Sequence, residues 1–359
     1  MGMIKEYKHE VASHCESGTV RNLLNFSGVN VTEAMVFGLG SGVDFVYLSF
    51  LKYFSPFPIT IVRSQMGKIF QNVEKLCNIN FFFKKLKNTD IALEKINAMI
   101  DNGVPVALCV DMFYMRYLPS FLHIHVPFHF IVLYGREGDV YTVSDPYYQD
   151  IAHLSEDALR AAISTHALFS NDNLVAYVEK VPKGEIDWKS AIIKSLKRTA
   201  DKMVPPAFVN VVPILGVAGI KTFAKKILTW PNEFKGLALR EGILGTARGF
   251  EEQGTGGGAF RLVYGAFLKE AAEVMNSKAL EEFAEKMIQN GAAWREASRK
   301  LIKIGKEVPA SNNSYPEWYD KNKKSFIEAL KDVSDDFIKI SDFEKTFFNN
   351  IKKFVKELV

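Results

Sequence analysis

Strand-forming sequence stops at about residue 180, and that break constrains what the chain can fold into. Before Glu179, helical and strand signals alternate. After it, apolar residues recur almost only at helical spacing. Between the two lies VPKGEID, Val181 to Asp187, whose proline, glycine and charge cluster read as a linker. We therefore expect an α+β domain with an antiparallel sheet over residues 1–180, then a mostly α-helical domain over residues 188–359. A chain of 359 residues has room for two such cores.

In the first half, Glu16 to Phe26 and Asp90 to Asp101 have one apolar helical face each, and Thr32 is placed to cap a further helix. Val104 to Val110, Phe130 to Tyr134, Val140 to Ser144 and Val175 to Lys180 read as strands. In the second half, Trp188 to Met203, Leu280 to Ile304 and Phe326 to Leu358 are amphipathic helical patterns. The apolar stretch Val204 to Ile220 contains three prolines and Asn210, so it reads as buried rather than membrane-spanning.

Lys plus Arg number 45 and Asp plus Glu 41. A net charge of +4 speaks against nucleic-acid binding driven by bulk charge. Cys15, Cys77 and Cys109 are odd in number, far apart and form no CxxC pair. A zinc ribbon or disulfide framework is not expected, and neither a metal nor a cofactor is called for. The opening residues carry no apolar run of signal-peptide length, so a cytoplasmic location is expected.

Two places carry candidate chemistry. Phe130–Tyr134 and Val140–Ser144 read as a hairpin through Gly135–Asp139. With the turn centred on Glu137, Leu133 faces Tyr141 and Ile131 faces Val143. His129 then falls opposite Asp145, on one face of the ladder. Such a pair orients an imidazole and stabilises its cation, as a catalytic base requires, although it also serves simply to close a hairpin. Cys15 stands where the first helix begins, and the helix dipole there favours a thiolate. His14 adjoins Cys15 but does not share its face. Cys109 lies in the apolar VPVALCV run and reads as core, and Cys77 has no partner.

Two glycine-rich segments compete for attention. Gly38 to Val43 lacks the third glycine of a dinucleotide loop. Gly254–Gly258 precedes a helix over Phe260–Met275, and Arg261 adds charge there, so an anion subsite competes with a packing turn. His123 and His125 alternate, as on one face of a strand, without further metal ligands nearby.

The segment HCESGTVRNLLNFSGVNVTEAMVFGLGSG resembles the N-terminal domain of the butirosin-biosynthesis acyltransferase family, and PFHFIVLYGREGDVYTVSDP resembles its His and Asp motifs. GTGGGAFRLVYGAFLKEAAEV and AAWREAS are similar to the helical domain often attached to it. That family is distantly similar to papain-like and bacteriocin-processing cysteine peptidases. The resemblance implies a papain-like cysteine-peptidase-type N-terminal domain, with Cys15 as nucleophile, His129 as base and Asp145 as orienting acid. It further implies an acyl thioester donor, such as one on an acyl carrier protein, and a small amine acceptor. The helical domain would cover the site or hold the acceptor. Papain-like enzymes take an oxyanion donor from a side chain upstream of the cysteine, commonly Gln. His9 is the residue available here, and Glu16 either supports the first helical turn or meets substrate.

Three functions stay open at this point: an acyltransferase, a papain-like hydrolase acting on an amide or thioester, and a non-catalytic binding protein. The sequence leaves oligomerisation open.

Overall fold

The computed structural model describes residues 2–49, 57–166, 172–206 and 213–358. Along the chain run α1 (Cys15–Phe26), α2 (Glu33–Leu39), β1 (Val43–Leu48), β2 (Ile59–Arg63), α3 (Lys68–Cys77), β3 (Asn80–Lys85), α4 (Thr89–Asp101) and β4 (Val106–Val110). Then follow β5 (His129–Glu137), β6 (Val140–Ser144), β7 (Ala152–Ser155), α5 (Glu156–Ser164) and β8 (Leu174–Lys180). Helices complete it: α6 (Trp188–Met203), α7 (Gly216–Lys226), α8 (Trp230–Glu233), α9 (Gly236–Glu251), α10 (Arg261–Met275), α11 (Lys278–Glu307) and α12 (Tyr315–Glu357).

The chain divides into two units. The first comprises residues 1–40 and 66–188, and the second comprises 41–65 and 189–359. The sequence reading placed 41–65 with the N-terminal domain. Its contacts instead lie with the helices, for a reason visible in its side chains. Phe45 packs 5.8 Å from Trp294 and 6.0 Å from Phe223, and Phe57 lies 4.6 Å from both Trp230 and Phe234. The antiparallel β1–β2 pair is thus an aromatic hairpin that fills the helical core.

The first unit is built on a six-stranded antiparallel sheet in the order β3-β8-β4-β5-β6-β7. The middle strand β4, VALCV, is buried throughout because helices cover both faces. On one face, Leu93, Ile96 and Ile100 of α4 and Leu159 and Ile163 of α5 pack against Val106, Leu108, Ile131 and Leu133. On the other, Phe70 of α3 meets Phe130 at 5.6 Å. In the second unit, Arg261 is fully buried and pairs with Glu344 through two 2.9 Å contacts beneath the Trp294 ring.

The β5–β6 hairpin departs from the expected register. Glu137 pairs with Val140 around a two-residue turn, with Gly138 at φ +57°. Nearer the far end, Leu133 pairs with Val143 and Val132 with Ser144. A bulge between Leu133 and Gly135 separates the two stretches. The tight turn moves the pairing by three residues from the predicted centre, and the bulge takes one back. The net shift is two, so His129 and Asp145 keep the same face although they are diagonal rather than opposite. Without the bulge, the odd register would have turned Asp145 to the other face.

The N-terminal segment seals the bulge. Ile4 N–H donates to the Tyr134 carbonyl at 2.8 Å, and Met3 bridges Gly135. A Cβ on Gly135 would fall 2.8 Å from the Met3 Cα. We expect Gly135→Val to lose about 1–3 kcal/mol of stability through this backbone clash, measured by urea unfolding.

Candidate functional site

Cys15 is the first residue of α1. His14 caps the helix, its Nδ1 accepting from the Ser17 N–H. The turn before Cys15 is held by a residue that the sequence reading passed over. Glu33 of α2 accepts from the backbone N–H groups of Ser13 (2.9 Å) and His14 (2.8 Å) and from the Ser17 hydroxyl (3.3 Å). The signal was present in the Thr32-Glu33-Ala34 segment, where a helix cap precedes a carboxylate, but it named no partner. A second tie runs from α1 to Asp145. Ala12 N–H donates to the Pro146 carbonyl at 2.9 Å, and Gly18 lies so close that a Cβ there would meet Ala12 Cβ at 2.4 Å and Pro146 Cβ at 3.0 Å.

The structure brings His129 and Asp145 together. His129 Nε2 sits 2.8 and 2.9 Å from the two Asp145 oxygens, and both residues are buried. The carboxylate also accepts from the Tyr147 N–H (2.8 Å) and the Tyr117 hydroxyl (2.9 Å). Burial alone would raise the Asp145 pKa. The His129 charge and these hydrogen bonds outweigh it and hold the carboxyl below its ordinary value. Burial and the Asp145 charge push the Tyr117 phenol well up, so it remains a donor.

Burial by itself would depress His129. The Asp145 charge and hydrogen bond, joined by a hydrogen bond to Cys15, reverse that and lift the imidazole to about 10. It is therefore an imidazolium at neutral pH. Because Nε2 is taken up by the carboxylate, Nδ1 is the ring nitrogen left for the thiol. Cys15 is also partly exposed, whereas Cys77 and Cys109 are buried. Burial pushes the Cys77 thiol up to about 12. Cys109 Sγ contacts Met66 Sδ and the Pro127 carbonyl inside the sheet.

The three accessory candidates take structural positions instead. His9 engages Ser144 Oγ through Nδ1 (2.7 Å) and the Tyr148 carbonyl through Nε2 (3.0 Å). Both ring nitrogens are thereby committed, which removes the proposed oxyanion role. Glu16 is fully buried, and its Oε1 accepts from the Ile69 N–H (3.1 Å) at the start of α3, where Gly67 offers no side-chain cap. Arg261 is neutralised by Glu344. The glycine loop before it is internally satisfied, with Gly258 N–H bound to Glu251 at 3.0 Å. Side chains at Gly257 and Gly258 would strike Arg295 and the Gly291 backbone, so this loop is a packing turn rather than an anion subsite.

His123 and His125 are not on a strand. His123 follows a short 3-10 turn and bonds the Leu118 carbonyl (2.9 Å), while His125 pairs with Asp111 (2.7 Å). Among the described residues, no group of three His, Cys, Asp or Glu is placed to hold a metal. No helix among them is long and apolar enough to cross a membrane. Residues 207–212 of the apolar stretch at Val204–Ile220 lie outside the described residues.

Comparison with known proteins gives two profile matches. The family described as butirosin biosynthesis protein H, N-terminal, matches residues 14–146, which contain Cys15, His129 and Asp145. A domain of unknown function (DUF4872) matches residues 157–351. Among solved structures, one described as a C39-like peptidase from Bacillus anthracis aligns at 12% identity and a TM-score of 0.36. The alignment covers 51% of this chain and 100% of that one. No curated protein matches the sequence.

Two measurements check this geometry. Iodoacetamide at neutral pH should label Cys15 well ahead of Cys77 and Cys109, as read by peptide mapping; preferential labelling of either buried thiol contradicts it. The raised His129 pKa also fixes a sign for stability. Its contribution is fully present below the unfolded value near 6.5 and fades as pH rises towards about 10. Urea unfolding between pH 6 and pH 10 should show this decline in the wild type, and His129→Gln should flatten it.

Proposed function

We propose that this chain, which belongs to the family joining a butirosin biosynthesis protein H N-terminal domain to a DUF4872 domain, is a cysteine-nucleophile acyltransferase using Cys15, His129 and Asp145. The observation that carries the reading is the His129 imidazole, bound on one side by a buried carboxylate and on the other by a thiol at a helix start. This is the arrangement a thiolate–imidazolium nucleophile needs.

In the proposed reaction, the Cys15 thiolate attacks the carbonyl of an acyl thioester. The oxyanion is met by N–H groups at the start of α1. On collapse, the carrier thiolate leaves and takes the proton from His129, giving an acyl-enzyme. An amine then attacks the acyl carbon and passes its proton to His129. Cys15 leaves as thiolate, and an amide is released. Asp145 orients the imidazole throughout and stabilises its cation.

An acyl carrier protein is the proposed donor, and the reaction is proposed for a cytoplasmic setting. Hydrolysis remains the second reading, because water attacking the same acyl-enzyme would give an acid. The single test supplies acyl thioester with and without a small amine and separates the products by mass. Amide formation supports transfer, and acid alone supports the hydrolase.

Cys15→Ala should abolish turnover in either case while the protein stays folded. Asp145→Asn should slow acylation on the order of 10- to 1000-fold, because Asn still orients the ring but does not stabilise its charge. Activity of Cys15→Ala comparable to wild type would exclude covalent catalysis.

A further inference from the structure

Asp145 has more donors than the orientation of one imidazole requires. Its Oδ1 lies 2.8 Å from His129 Nε2 and accepts the Tyr147 N–H at 2.8 Å. Its Oδ2 lies 2.9 Å from the same nitrogen and accepts the Tyr117 hydroxyl at 2.9 Å. The ring N–H therefore sits across both oxygens, and each oxygen has a competing donor. Tyr147 competes through its backbone. Tyr117 competes through its side chain, from a loop outside the catalytic strands.

That loop, residues 111–128, joins β4 to β5 and fixes the hydroxyl by its own packing. Asp111 pins the root, accepting from the N–H groups of Phe113 (3.1 Å) and Val126 (2.9 Å). Met115 and Leu118, on either side of Tyr117, are buried in the core of the first unit, and the Tyr117 ring packs 5.4 Å from that of Tyr148. Met115 Sδ is also in reach of the hydroxyl, at 3.3 Å. A hydroxyl has one proton to give, and a carboxylate is a far better acceptor than a thioether, so that proton points at Asp145.

This orientation is felt at His129. The groups that face its ring are Asp145, Cys15 from the start of α1 and the edge-on Tyr147 ring at 6.0 Å. The positive end of the Tyr117 O–H dipole lies against Oδ2 and offsets part of the charge that holds the imidazolium.

We propose that Tyr117 is a positioning residue for His129: by taking up one oxygen of Asp145, it loosens the carboxylate's hold on the imidazolium proton. The proposal rests on the Cys15–His129–Asp145 reading and deepens it. In that cycle His129 gives a proton to the leaving carrier thiolate and takes one from the amine. An imidazole held by an unshared buried carboxylate takes the proton readily and returns it slowly. Sharing the carboxylate brings the two transfers closer to balance.

The test is an NMR titration of the full chain, with histidine labelled with carbon-13 at Cε1. Seven histidines contribute signals, and His129→Gln identifies the one that matters. In the wild type, His129 should lose its proton near pH 10. Tyr117→Phe keeps the ring and removes the hydroxyl. Its midpoint should rise by about half a unit to one unit, the share of a charge-assisted hydrogen bond that reaches the ring, so the ratio of imidazolium to imidazole at a given pH rises about three- to tenfold. Should Tyr117→Phe fail to fold, 3-fluorotyrosine in place of Tyr117, a stronger donor of nearly the same size, should lower the midpoint instead. A hydroxyl that only packs the loop moves the midpoint in neither protein, and that result overturns the role, as does a lowered midpoint in Tyr117→Phe. A wild-type His129 titrating near the ordinary 6.5 overturns the His129–Asp145 pairing as well, and the catalytic reading with it. A raised midpoint that neither variant moves overturns the role of Tyr117 alone.

Discussion

A carboxylate sealed from water persists as an ion only where several donors meet it, and in the first unit that carboxylate is Asp145. Its two oxygens accept from the His129 ring, the Tyr147 N–H and the Tyr117 hydroxyl. Three separate pieces of chain must arrive together for this to happen: the start of β5, the turn after β6, and the loop that follows β4. The tie between Ala12 and Pro146 then hangs the start of α1 from the same point. Position of the thiol, tilt of the imidazole and path of the N-terminal segment all follow from one buried negative charge. The bulge at Tyr134 is what keeps that charge on the correct side of the sheet.

The second unit solves a similar problem with different partners. Glu344 accepts from Arg261 twice, from Asn290 at 2.8 Å and from the Trp294 indole at 2.7 Å. A fully paired buried ion of this kind adds little net stability against an apolar alternative. Losing any one partner, however, leaves a charge stranded in the core. Arg261, Trp294 and Glu344 come from three different helices, so the network sets how α10, α11 and α12 meet.

Much of this was legible in the sequence. The switch of periodicity near residue 180 separated sheet from helices. Cys15 at a helix start and the His129–Asp145 pair could be found from spacing alone, because strand alternation fixes a face even when the register slips by two. What spacing could not show was the partner of a buried polar side chain. Glu16 reads as part of the first helical turn, yet it serves the N-terminus of α3, 53 residues further on. Arg261 beside a glycine run reads as an anion site until Glu344, 83 residues away, is found against it. The segment 41–65 reads as part of the first domain because it lies inside that domain's sequence. Its aromatic residues belong to a core assembled from helices not yet encountered. Long-range pairing of this kind leaves no local periodicity to read.

That interleaving bears on how the protein is made. The hairpin at 41–65 leaves the ribosome before any helix of its own unit. Phe45 packs against Trp294 of α11, which runs from Lys278 to Glu307. At a synthesis rate of roughly 5–20 residues per second, Phe45 waits about 12 to 50 seconds for that partner. During that interval the aromatic side chains of β1 stay without their helical core, a state suited to a chaperone. An element near the beginning of the chain thus finds its place only after helices far later in the sequence have been made.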